Sequence, residues 1–220
     1  MVGKISKSWG SRYNISTSPY WVYGGNNSCS RLFMNHMEIV EVVAMSIFHD
    51  YPEAFDRRLS MGDACPSVGN CPRHPGGSHG TLCSFDSNYY TLDHSNTTQY
   101  RPGTKTDDIN VVTQMWKTGE GGKVLLPNIF DWERNFVFFY RLRQIFSRCT
   151  IGINYVLRET IIDGLKTKYN LNMMSEVCEF IHVNVGMTYN HHTHAHINLS
   201  NKINIDFNVQ DFIKLHEKTT

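Results

Sequence analysis

One hexapeptide constrains this chain more than any other: His194-Ala195-His196-Ile197-Asn198-Leu199, in which polar and apolar side chains alternate. A period of two belongs to an extended strand, whose successive side chains point to opposite faces. A strand from Thr193 to Leu199 therefore turns His194 and His196 the same way. Two further imidazoles, His191 and His192, lie just ahead of it. More than a hundred residues earlier, Arg73-His74-Pro75-Gly76-Gly77-Ser78-His79-Gly80-Thr81-Leu82-Cys83-Ser84-Phe85-Asp86 carries an imidazole and a carboxylate on opposite sides of a small-residue turn. A distant His and Asp together with two histidines on one face can close around one divalent metal.

The donor chemistry points to zinc. A catalytic zinc takes three protein ligands and keeps a position for water, and His79, Asp86 and His196 form such a set of nitrogen and oxygen donors. A base is needed beside the metal but not on it. His194, two residues from a ligand, is placed for that role, and His191 adds an imidazole able to steady a developing oxyanion. The other histidines (His36, His49, His74, His94, His182, His192 and His216) read as ordinary surface or core imidazoles.

Composition sets the frame without naming a function. At 220 residues the chain suits one domain with decorations, here an irregular arm over residues 1–30 and a main domain over 31–220. A net charge of +1, with Lys and Arg scattered, offers no electrostatic ground for a nucleic-acid partner. No apolar run has the length of a membrane span. The start, Met1 to Gly10, is basic but lacks the apolar stretch of a secretory signal, so either the chain is trimmed or it is made in a cytoplasm and leaves by another route. The six cysteines (Cys29, Cys65, Cys71, Cys83, Cys149 and Cys178) suit either disulfides or free buried thiols, and their spacing lacks the knuckle of a second zinc site.

Along the chain, apolar residues at helical spacing predict a helix from Leu32 to Phe48, ending before Tyr51-Pro52. Arg57 to Met61 reads as a short strand, residues 62–80 as an active-site loop, and Asp86 to Thr91 as a strand with the carboxylate at its start. Residues 93–110 read as a polar excursion, whereas Val111–Lys117 and Lys123–Leu126 fit no one class. A second helix is predicted over Asp131 to Arg148, capped by Asn128 or Asp131, and a third over Asn154 to Tyr169 despite Gly164. Cys149 to Asn154 fits a strand or a connection, and Phe180 to Val185 alternates as a strand. Helices interspersed with hairpin-like strands make the fold class α+β.

Several of these residues also match a known pattern. Ser78-His79 followed by Asp86 resembles the S-H-x(6)-D signature of the LAS metallopeptidases, and His191-x-x-His194-x-His196 resembles the H-x-x-H-x-H end of the penicillin-insensitive murein endopeptidases. Gly62-Asp63 and Asp131-Trp132-Glu133-Arg134-Asn135 match in the same order, so the resemblance spans roughly residues 20–200. It implies a central antiparallel sheet flanked by helices, one zinc ion, and hydrolysis of D-alanyl to diaminopimelate cross-links between peptidoglycan peptide stems. On it, His79, Asp86 and His196 are the zinc ligands, with His194 and His191 catalytic. The family's Gln, Gly and first Asp between the ligands are replaced here by Gly80, Leu82 and Ser84. The missing export signal suits a phage lysis or virion enzyme. A D-amino-acid dipeptidase or carboxypeptidase, a non-catalytic wall-binding or virion protein, and a purely structural zinc site are the rival expectations.

Overall fold

A computed structural model describes residues 19–23, 37–54, 57–61, 84–92, 130–153, 155–170, 179–183, 194–200, 203–204 and 206–217. In chain order they form β1 (Trp21–Tyr23), α1 (Met37–Asp50), β2 (Leu59–Met61), β3 (Ser84–Asn88), α2 (Trp132–Ile145), β4 (Cys149–Ile153), α3 (Tyr155–Tyr169), β5 (Ile181–Val183), β6 (His194–Leu199) and α4 (Val209–Glu217). The strands make one sheet in the order β1-β2-β3-β6-β4-β5. Neighbours from β2 through β3 and β6 to β4 run antiparallel, whereas the outer pairs β1/β2 and β4/β5 are parallel. The class is α+β, and the sheet is mixed rather than wholly antiparallel.

Each central strand contributes apolar residues to one face. Phe85 of β3, Ile197 of β6 and Ile151 of β4 stand side by side in register and are fully buried. Helices α1, α2 and α3 complete that core through Val40, Val43, Ile47, Phe138, Phe139, Leu142, Leu157, Ile161 and Leu165. On α1 these residues recur at helical spacing, as expected. The helix ends where Pro52 forbids continuation, its last turn closed by Tyr51 N–H donating to Ile47 O at 3.2 Å. Arg141 of α2 then joins the two helices, pairing with Asp50 and donating to Ser46 Oγ at 2.7 Å.

Several boundaries differ from the sequence reading. Helix α2 stops at Ile145 rather than Arg148, because Phe146 turns extended to bridge Ile203 and the chain must enter β4. The Arg143 guanidinium donates to Ser147 O at 3.0 Å and so satisfies a carbonyl beyond the helix end. Within the expected irregular arm, Trp21–Tyr23 is a strand, paired with β2. Helix α4 was not anticipated. Asn208 caps it, Oδ1 accepting from Gln210 N at 3.0 Å, and it packs on α1. The segments 62–80, 93–110, 111–117 and 123–126, with Cys29, Cys65, Cys71, Cys83 and Cys178, lie outside the described residues.

Gly164, which weakened the case for a third helix, has a packing reason. A Cβ there would stand 2.3 Å from Cδ2 of the Trp132 indole, so the two helices approach through the missing side chain. Gly164→Ala should therefore destabilise the protein by about 1–3 kcal/mol in urea denaturation, the cost of overpacking, although alanine is the better helix former. At the other contact between α2 and α3, Glu133 accepts from Lys168 Nζ at 2.5 Å and Tyr169 Oη at 2.7 Å. Burial pushes the Glu133 carboxyl up, but these two hydrogen bonds outweigh it, and its pKa falls below the ordinary value. A lowered folded-state pKa contributes stability above the unfolded carboxylate range, and that contribution is lost as pH falls through the folded value. Glu133→Gln should thus lower Tm at neutral pH, and the gap to wild type should close in thermal scans at progressively acid pH.

Candidate metal centre

Strand β6 follows the expected alternation: Ala195, Ile197 and Leu199 are buried, and His194, His196 and Asn198 share the opposite, half-buried face. Its neighbour β3 presents Ser84, Asp86 and Asn88 to the same face, since Ser84 pairs with Asn198, Asp86 with His196 and Asn88 with His194. Asp86 is thus central in its strand, not at its start. The strand begins two residues earlier than expected because Ser84 and Phe85 pair with Asn198 and Ile197, and it leaves the ladder after Asn88.

The side chains meet. His196 Nδ1 and Asp86 Oδ1 are hydrogen-bonded at 2.9 Å, and His194 Nε2 lies 4.0 Å from Asp86 Oδ2. The three side chains are 13–16% exposed, shielded enough to hold a geometry yet open to a small ligand. Beside them Ser84 Oγ donates to Asn198 Oδ1 at 2.6 Å. Ser84 and Asn88 are buried on a sheet face that carries no apolar residue in either strand. Burying polar groups costs stability unless they are hydrogen-bonded, and Ser84 meets that condition through Asn198.

The donor types suit zinc, but their spacing is that of a hydrogen bond. Two ligands of one tetrahedral zinc, each bonded at about 2.0–2.1 Å, stand about 3.3 Å apart. The 2.9 Å between His196 Nδ1 and Asp86 Oδ1 needs only a small opening to reach that separation. Among the described residues no three His, Cys, Asp or Glu side chains are already grouped to hold a metal. His79, the expected third ligand, and His191, the expected second catalytic imidazole, lie outside those residues, as do His36, His74, His94 and His192. His49 is a packing residue, edge-on to Tyr20 and Phe48. Cys149, unpaired and buried, has its thiol pushed up to about 12 by burial, which Arg143 only partly offsets, so it is a core group and not a nucleophile.

A second set of contacts fixes the end of β3, and it uses the Asp131 to Asn135 motif. Asp131 caps α2, Oδ1 accepting Arg134 N at 3.1 Å, while its Oδ2 takes Arg134 Nε at 2.6 Å. The Arg134 guanidinium, almost wholly buried, also donates to Thr91 O at 2.6 Å. Asn135 reads Tyr90 on both sides: Tyr90 N donates to Oδ1 at 3.0 Å, and Nδ2 donates to Tyr90 O at 2.9 Å. Tyr89, between that clamp and the site, donates its phenol to His194 O at 2.8 Å. The start of α2 therefore grips residues 89–91, and Tyr89 ties them to the first residue of β6. The Ser84/Asn198 and Asn88/His194 pairs and the Tyr89 phenol were not singled out from the sequence. Ser84-Phe85-Asp86-Ser87-Asn88 alternates by polarity only in part, since Ser87 is polar yet faces the core with Met61 and Ala195.

Scanned against protein-family models and against curated proteins, the chain matches none.

Asn135→Ala should cost about 1–3 kcal/mol in denaturant unfolding, because it strands the buried N–H of Tyr90 and leaves the Tyr90 carbonyl only the Asp131 N–H of its two donors. Amide hydrogen exchange at Tyr89 to Thr91 should accelerate in the same variant.

Proposed function

We propose that this chain is a zinc-dependent endopeptidase acting on peptide cross-links of bacterial peptidoglycan, of the D-alanyl to diaminopimelate type, in the manner of the LAS metallopeptidases its motifs resemble. One observation carries the reading. Two distant segments that supply the expected ligands Asp86 and His196 are adjacent strands in register, with those side chains in contact and His194 beside them on the same face.

Asp86 and His196, with His79, would hold the metal. Bound zinc supplies Lewis acidity, polarising a carbonyl and acidifying water. The remaining work falls to the chain's own groups. His194, close to the Asp86 carboxylate, takes a proton from the attacking water and returns it to the leaving amine as the C–N bond breaks. His191 steadies the negative charge on the carbonyl oxygen. The Tyr89 bond to the His194 carbonyl holds the base's backbone while the proton moves.

Purified protein would be assayed for zinc by elemental analysis and incubated with cross-linked muropeptides, with and without chelator. One zinc per chain and chelator-sensitive loss of dimers are expected. Asp86→Ala and His196→Ala should lose zinc and activity together. His194→Ala should keep zinc and lose about 100-fold or more in kcat, the usual size of an acid–base contribution. Loss of zinc in His194→Ala would reverse the roles of the two β6 imidazoles. Release of single amino acids from uncross-linked stems, with dimers left intact, would instead assign a dipeptidase or carboxypeptidase.

A further inference from the structure

A cavity of about 400 Å³ opens at the start of β4, lined by Arg143, Ser147, Arg148, Cys149, Thr150, Glu179 and Phe180. That volume lies within the range of small-molecule sites. Its charged groups are of both signs. Arg143 reaches in from the last turn of α2, held by its bond to Ser147 O, and Arg148 stands at the foot of β4, its backbone N–H donating to Ser200 Oγ at 3.2 Å. Glu179 sits where the chain enters β5. All three are exposed, yet among the described residues neither guanidinium is ion-paired with Glu179. The cavity lining thus carries two positive groups and one negative group that are not ion-paired with one another among the described residues, while buried Phe180 and Cys149 add apolar surface.

A phosphate or a bare carboxylate would meet Glu179 as a like charge, and a bare amine would meet the two arginines. A ligand carrying both charges on neighbouring atoms satisfies every group. We propose that this cavity binds the head of a free α-amino acid with an apolar side chain. Its carboxylate lies between Arg143 and Arg148, its ammonium on Glu179, and its side chain against Phe180. Arginine suits the planar carboxylate, and such charge-assisted bonds are stronger than neutral ones. The site is separate from the β3–β6 histidines and does not rest on the hydrolytic reading.

The test is calorimetric titration of the full chain with L- and D-norleucine, beside norleucine amide and N-acetylnorleucine, which lack the carboxylate and the ammonium respectively. Saturable binding of one norleucine enantiomer is expected, weakened at least about tenfold for both derivatives and in Arg148→Ala and Glu179→Gln. Both side chains are exposed, so unchanged thermal unfolding should accompany the loss. Absence of saturable norleucine binding at millimolar concentration overturns the proposal, as does undiminished binding in either variant or of either derivative. Because hydrolysis is not read, such a failure leaves the peptidase proposal where it stood.

Discussion

In the β3–β6 ladder Asp86 stands opposite His196 and Asn88 opposite His194. A slip of one residue would turn both imidazoles into the core and bring Ala195 and Ile197 out. The apolar residues oppose that slip: Ala195, Ile197 and Leu199 are buried on one side, with Phe85 and Ile151 beside Ile197. Hydrophobic burial on one face of the sheet thereby positions polar chemistry on the other. Each of the larger side chains removed from water is worth about 1.5–3 kcal/mol, and together they outweigh what the single His196–Asp86 hydrogen bond could supply against the wrong register.

The ends of the ladder are fixed by polar contacts. Arg134 is nearly inaccessible to water, and its charge is met by Asp131 and the Thr91 carbonyl, with the Tyr90 ring beneath it. A buried charge of this kind is tolerated when its donors are satisfied, and deleting one partner is costly. What the arrangement provides is location. Asn135 holds Tyr90 as a neighbouring strand would, and Tyr89 carries that constraint to His194. A metal or substrate site needs such support if its donors are to keep their geometry.

Much of this was legible from residue order. Helical spacing located α1, Asp131 was one of the two caps expected for α2, and the apolar, branched sequence after Arg148 formed the strand that was one of two readings there. That Asp86 and His196 come close was expected of two ligands of one metal, whereas their pairing across adjacent strands was not read from the sequence. Other features were not legible. Ser87 breaks the polar alternation of β3 because a small hydroxyl fits the core beside Ala195 and Met61. Helix α4 is amphipathic but only nine residues long, with Phe212 and Ile213 half-buried and Leu215 exposed, and a pattern so short was passed over in the sequence although the helix packs on α1. Gly164 argues against a helix on propensity, and only its closeness to Trp132 shows why it is there.

By itself the sequence determined the period of each element and the chemical character of each face, because hydrophobic spacing and caps act within a few residues of chain. It placed His194 and His196 on one side of a strand and marked Asp86 as their partner. Tertiary structure decided which strands are neighbours, that parallel pairs close both ends of the sheet, and that Arg134 and Asn135 grip residues 89–91. It also gathered Arg143, Arg148 and Glu179 around one cavity. Those outcomes join segments far apart in the chain, and their stability comes from burial and hydrogen bonds that exist only once the strands and helices have packed.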